Sequence, residues 1–150
     1  SFRLRFHILR SIPVETVQRI SARVPLHPGI EAFITGNRDR CAVVTGNLDV
    51  WAKPFMDRLG CPFYTSTSAV EKGQLCLKTV LDKGEAIRGI ARNHKRIVAI
   101  GDSFNDMAMF EEADIGVAYG GVHDPVQQLV RTADYVVYDG DALCRLLNTL

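Results

Sequence analysis

The 150-residue sequence predicts an α/β fold with a doubly wound parallel sheet. Three observations carry that expectation. Short apolar runs at 41–44, 97–100, 115–118 and 135–138 read as buried parallel strands. Stretches with helical apolar spacing fall between them. Gly101-Asp102-Ser103 also closes one of these runs with a carboxylate, at the strand end where open α/β sheets place their ligands.

The elements follow in chain order. Residues 2–10 fit two patterns: Phe2, Leu4, Phe6 and Ile8 alternate as in a strand, while Phe2, Phe6 and Leu9 share one helical face. Pro13 starts a helix with Val14, Val17, Ile20 and Val24 as its apolar stripe. His27-Pro28-Gly29 breaks it, and a short helix is expected over 30–35. The strand at 41–44 ends at Thr45-Gly46-Asn47, and a helix follows to about Leu59, with Trp51, Phe55 and Leu59 at four-residue spacing and Pro54 near its start or bending it. Residues 63–81 hold β-like pieces around a turn at Lys72-Gly73. Asp82-Lys83-Gly84-Glu85 has capping-box spacing before the helical face of Ala86, Ile87, Ile90 and Ala91. Phe104 to Glu112 reads as a short helix, and Asp124-Pro125 as the start of another. Leu143, Leu146, Leu147 and Leu150 give a final amphipathic helix.

Composition narrows the function classes. With 47% hydrophobic and 23% charged residues and a formal net charge of +1, the chain reads as a soluble domain with one substantial core. No basic run or aromatic-basic interleaving supports a nucleic-acid partner, and no apolar stretch suggests a membrane span or signal peptide. Cys41, Cys61, Cys76 and Cys144 lack CxxC spacing, which favours free thiols in a reducing cytoplasm. The four histidines show no ligand spacing. The chain opens at Ser1 directly on a patterned segment and is expected to be a piece of a longer one.

Polar groups gather where strands end or helices begin. Asp102 and Asp106 lie four residues apart across a strand-to-helix turn, so both carboxylates can approach one point. Hard oxygen ligands there suit Mg2+, which takes few protein ligands and keeps several waters. A purely structural reading has Asp102 ending a strand, Ser103 capping the helix and Asp106 favouring its positive end. Thr45 with Gly46-Asn47 offers a hydroxyl and backbone N–H groups to an anion, and Lys83 at a helix start adds a positive charge for phosphate oxygens.

In order and spacing, Val43-Val44-Thr45-Gly46, Lys83-Gly84 and Gly101-Asp102-Ser103-Phe104-Asn105-Asp106 resemble motifs two, three and four of the haloacid dehalogenase-like phosphatases, closest to the phosphoserine phosphatase branch. Ser1-Phe2-Arg3-Leu4-Arg5 is similar to that family's late cap segment, and Pro28-Gly29 to the entry into its core domain. The resemblance implies a partial helical cap over 1–26 and a Rossmann-like core over 27–150, and it favours helix over strand for residues 2–24. It implies that Thr45 and the Gly46 backbone hold phosphoryl oxygens and that Lys83 neutralises phosphate and nucleophile charge. Asp102 would bind Mg2+ directly, and Asp106 would support it through water or Lys83. Asn105 would contact phosphate or substrate, and Arg5 would pair with a substrate carboxylate. The implied activity is hydrolysis of a small phosphorylated metabolite through an aspartyl-phosphate.

Three departures stand out. Asn47 replaces the second glycine usual in the phosphoserine branch, and the β-like region over 64–81 looks short. No apolar strand ending in Asp-x-Asp, the family's source of nucleophile and general acid/base, precedes Thr45. The pair in Asp139-Gly140-Asp141 follows a strand but fits the last strand and helix, with Asp141 as helix cap. The isolated chain is therefore expected to be inactive, its sheet completed by an N-terminal segment of the parent protein, by a second chain, or by rearrangement. A reading from a different class is a non-catalytic module that keeps the magnesium and phosphate pocket. A nucleotide-binding Rossmann domain lacks support, since no Gly-x-Gly-x-x-Gly turn is present.

Overall fold

The computed structural model describes residues 2–150, so the Ser1 end of the expected cap segment lies outside the described residues. The chain divides into two compact units: one of residues 1–26 with 34–81, the other of 27–33 with 82–150.

In the first unit, α1 (Phe2–Leu9) and α2 (Val14–Ser21) resolve the ambiguous opening as helix. Pro13 stands just before α2 rather than inside it, and the helix closes before Val24, which is exposed together with Ile20. Only the first half of the expected stripe is therefore core: Val14 and Val17 pack, with Phe6 and Leu9, against buried Leu48, Trp51 and Leu75. The Phe6 and Trp51 rings meet with centroids 6.2 Å apart. Helix α3 (Pro28–Gly36) begins two residues earlier than its pattern suggested, at a proline whose fixed φ suits a first helical position. Within α3 the chain passes from one unit to the other.

Strand β1 (Val43–Leu48) starts later than expected and runs on through Thr45-Gly46-Asn47. It leads into α4 (Asp49–Leu59), where Pro54 sits inside the helix and not near its start. β1 pairs parallel with β2 (Phe63–Glu71), and β2 turns back antiparallel into β3 (Gln74–Thr79). The turn at Lys72-Gly73 has φ of 51° and 75°, the two positive values that a two-residue hairpin loop requires.

The second unit holds α5 (Lys83–Ala91), β4 (Val98–Gly101), a 3-10 turn over Phe104–Asp106, α6 (Met107–Glu112), β5 (Ile115–Tyr119), α7 (Gln127–Thr132), β6 (Tyr135–Val137) and α8 (Gly140–Leu147). β4, β5 and β6 form a parallel sheet in that order. Its core is Ile115, Val117 and Leu143, flanked by Ile30, Ile100, Leu146 and Leu150. Asp124-Pro125 does not start α7. The Val126 N–H is spent on the Asp102 carbonyl at 3.0 Å, which keeps the chain extended until Gln127. Among the described residues, β1 pairs only with β2 and β4 only with β5, so each sheet keeps an open parallel edge.

Candidate active site

The second unit holds a buried ion pair at the carboxyl end of β4. Asp82 caps α5 by accepting the Glu85 N–H at 2.9 Å, which sets Lys83 in the first helical position. From there the Lys83 Nζ donates to Asp106 Oδ1 at 2.5 Å. Asp106 side-chain exposure is 5%, and that of Lys83 is 18%. The other carboxylate oxygen, Oδ2, accepts the Ser103 N–H at 2.9 Å, the Ser103 hydroxyl at 2.8 Å and the Asp102 N–H at 3.1 Å.

Lys83 and Ser103 decide the charge state. Burial is the largest single influence on the Asp106 carboxyl and pushes it up. The Lys83 hydrogen bond, the Ser103 N–H, the Lys83 charge and the Ser103 hydroxyl together outweigh burial and hold it below the ordinary carboxylate value. The geometry also requires Gly101, because a Cβ there would stand 2.5 Å from the Asp106 Cβ.

Asp102 differs from Asp106. Its backbone is fixed at both ends, N–H to Asp106 and carbonyl from Val126, while its carboxylate is half-buried and accepts no hydrogen bond among the described residues. Its oxygens are therefore open to a ligand. No group of three His, Cys, Asp or Glu side chains converges as a metal centre among the described residues. What could hold a cation here is carboxylate oxygen, the donor type that hard cations take. Asn105 is exposed on the 3-10 turn that follows β4.

The first unit holds a second local group around Thr45. The pairing of β1 with β2 slips between Thr45 and Leu48: Thr45 faces Thr65, Leu48 faces Ser66, and Gly46 and Asn47 fall outside the ladder. Ser66, fully buried, braces this bulge, donating its hydroxyl to the Gly46 carbonyl at 2.9 Å and accepting the Leu81 N–H at 3.1 Å. The Asn47 N–H donates to Thr45 Oγ1 at 3.2 Å, and Asn47 Oδ1 accepts from Arg5 Nη1 at 2.8 Å. The structure thus brings Arg5, Thr45, Gly46 and Asn47 together in one unit, and Lys83, Asp102, Asn105 and Asp106 in the other.

Sequence reasoning missed Ser66 altogether. One buried serine in a Thr- and Ser-rich strand carries no periodic or motif signal. Ser103 is the N-cap of the 3-10 turn, as expected of it, and its N–H and hydroxyl both donate to Asp106. Sequence reasoning also chose the wrong cap for α8. Asp139, with extended backbone, accepts the Ala142 N–H at 2.8 Å, while Asp141 lies in the first turn.

Residues 2–111 match the haloacid dehalogenase-like hydrolases, a span that includes Arg5, Thr45, Lys83, Asp102 and Asp106. The chain belongs to this family. Among its relatives in the haloacid dehalogenase-like hydrolases, a phosphoserine phosphatase of Methanocaldococcus jannaschii is 30% identical over 134 residues, 79% of this chain and 63% of that protein. A phosphoserine phosphatase of Archaeoglobus fulgidus is 26% identical over 129 residues, 77% of this chain and 38% of that protein. The chain thus spans less than two thirds of the length of either relative. A solved phosphoserine phosphatase, captured as an analogue of its phospho-aspartyl intermediate, superposes with a TM-score of 0.77 at 27% identity, over 99% of this chain and 75% of that one. The mixed α/β architecture of the chain is that of this haloacid dehalogenase-like fold.

Proposed function

We propose that this chain supplies the phosphate- and metal-binding part of a magnesium-dependent phosphomonoester hydrolase of the phosphoserine phosphatase type, with residues 1–26 as cap segment and 27–150 as core. The observation that carries the reading is the free Asp102 carboxylate beside the buried Lys83–Asp106 pair, in a chain of this family.

Each residue then has a role. Asp102 holds Mg2+, which supplies charge neutralisation at the phosphoryl oxygens when bound. Asp106 acts through Lys83: its ion pair fixes the ammonium, which presents its remaining N–H donors to phosphate. Thr45 Oγ1 and the Gly46 N–H receive phosphoryl oxygens, Asn105 contacts phosphate or substrate, and Arg5 meets a substrate carboxylate. The nucleophile is a carboxylate outside these 150 residues, because the only Asp-x-Asp of the sequence spends its first aspartate capping α8. That carboxylate attacks phosphorus as the ester P–O bond breaks and the leaving oxygen takes a proton from a general acid. Water then cleaves the acyl phosphate to inorganic phosphate. Lys83, held by Asp106, keeps its charge in place through both steps, so its contribution rests on positioning and preorganised charge. All four cysteines stand free, which suits a reducing, cytoplasmic compartment. No helix among the described residues is long and apolar enough to cross a membrane.

The test is p-nitrophenyl phosphate hydrolysis with Mg2+ and with EDTA, by the chain alone and with an added segment bearing an apolar strand that ends in Asp-x-Asp. The expected result is negligible turnover alone and Mg2+-dependent turnover with the segment, abolished by Asp102→Asn. Turnover by the chain alone that survives Asp102→Asn overturns the assignment. Phosphate binding without any rescue by the segment favours a non-catalytic binding module.

A further inference from the structure

Asn47 stands where the resemblance leads one to expect glycine, and the structure gives it two jobs at once. Its backbone N–H reaches the Thr45 hydroxyl oxygen, and its side chain accepts from Arg5 across 42 residues of sequence. Neither contact arises from strand pairing, since Asn47 lies on the bulge outside the ladder. It therefore ties an arginine of α1 to a threonine of β1.

The chemistry of that contact fixes which way the amide faces. A guanidinium carries only donors, so Asn47 must turn its oxygen to Arg5. The amide nitrogen, with two N–H groups, is left on the other arm and has no partner among the described residues. Arg5 likewise keeps N–H groups beyond the one it gives to Asn47 and stays exposed. Two planar groups, one charged and one neutral, thus meet with donors still unspent, and a carboxylate has two oxygens to accept from them.

We propose that Asn47 is a specificity-determining residue, which orients Arg5 and adds its own amide donor to form a two-part clamp for a carboxylate carried by the phosphate ester. The inference rests on the phosphatase reading above but concerns a residue to which that reading gives no role. A glycine at this position supplies no amide donor and leaves Arg5 without its anchor. The clamp selects phosphomonoesters that bear a carboxylate over those that bear only an amine or an uncharged group.

The experiment compares O-phospho-L-serine with phosphoethanolamine, which lacks the carboxylate, on the 15N-labelled 150-residue chain with Mg2+. Titrations are followed at the Arg5 side-chain N–H and the Asn47 amide N–H resonances. O-phospho-L-serine is expected to bind about tenfold more tightly, the return on one or two charge-assisted hydrogen bonds, and to shift both sets of resonances. Phosphoethanolamine is expected to leave them in place. Asn47→Asp still holds Arg5 but replaces the donor with a negative charge, and it is expected to abolish the preference. Asn47→Gly is expected to weaken it severalfold and to free the Arg5 resonance. Equal affinity for both ligands in the unmodified chain, or a preference untouched in Asn47→Asp, overturns the clamp and leaves the phosphatase reading standing. Failure of both ligands to bind overturns that reading and the clamp with it.

Discussion

Replacing Lys83 with methionine keeps the apolar stem of the side chain and removes its charge from Asp106. Breaking a buried ion pair from one side costs about 3–5 kcal/mol. Asp106 keeps three donors, two from Ser103 and one from the Asp102 backbone, so the lower end applies and the loss near neutral pH is about 3 kcal/mol. The pH dependence follows from the direction of the carboxyl shift. In the native chain Asp106 titrates below its ordinary value of 3.8, so its contribution is present above that value and fades as pH falls through the depressed one. Without Lys83, burial, the largest single influence, acts against fewer donors and the carboxyl titrates higher. The variant's deficit should then be largest at neutral pH and shrink as the medium approaches about pH 4, where the orphaned carboxylate takes up a proton. Urea unfolding followed at the amide resonances of α5 and β5 measures this. Fluorescence does not, because the only tryptophan, Trp51, belongs to the other unit. The double variant Lys83→Met/Asp106→Asn should regain at least about 1 kcal/mol, since no buried charge remains. A deficit that is equal at both pH values, or a double variant no more stable than the single one, refutes the reasoning.

Two further outcomes are expected. Gly101→Ala places a Cβ 2.5 Å from the Asp106 Cβ and 2.7 Å from its Cγ, so it should cost about 2 kcal/mol and lower the unfolding temperature in calorimetry. An unchanged transition temperature would contradict that contact. Trp51 is 5% exposed and its Nε1–H is buried without a partner among the described residues, so Trp51→Phe removes a penalty along with some contact area. Circular dichroism in urea should show a loss within about 1 kcal/mol for Trp51→Phe, against about 3–5 kcal/mol for Trp51→Ala. Equal losses in the two variants would mean that the indole N–H is satisfied.

Sequence alone revealed the elements wherever local chemistry is decisive. The Asp82 cap, the Lys72-Gly73 turn and the apolar runs of β4 and β5 all stand near their expected places, because caps, positive φ and buried strands each demand particular residue types. Errors arose where a distant partner overrides local preference. Asp124-Pro125 looks like a helix start, but the Asp102 carbonyl claims the Val126 N–H from 24 positions away in sequence. The β1 run was expected to end in Thr45-Gly46-Asn47, yet with Ser66 bonded to the Gly46 carbonyl the strand carries on to Leu48. At the candidate site, spacing put Asp102 and Asp106 at one strand end, and the family resemblance joined Lys83 to Asp106. Neither could say that Asp106 would be saturated by four donors and Asp102 left open, since that division depends on how the Ser103 turn folds back.

The bulge in β1 separates two demands that a strand usually meets with the same residues. A substitution inside a ladder risks slipping its register and turning every following side chain to the wrong face. Gly46 and Asn47 escape that risk, because Thr45 and Leu48 keep the count on either side and Ser66 grips the backbone between them. Descendants of this chain are therefore free to exchange residue 47 for another side chain in a single mutational step while the scaffold stays as it is. Such a position is where new substrate preferences can be tried at little cost to folding.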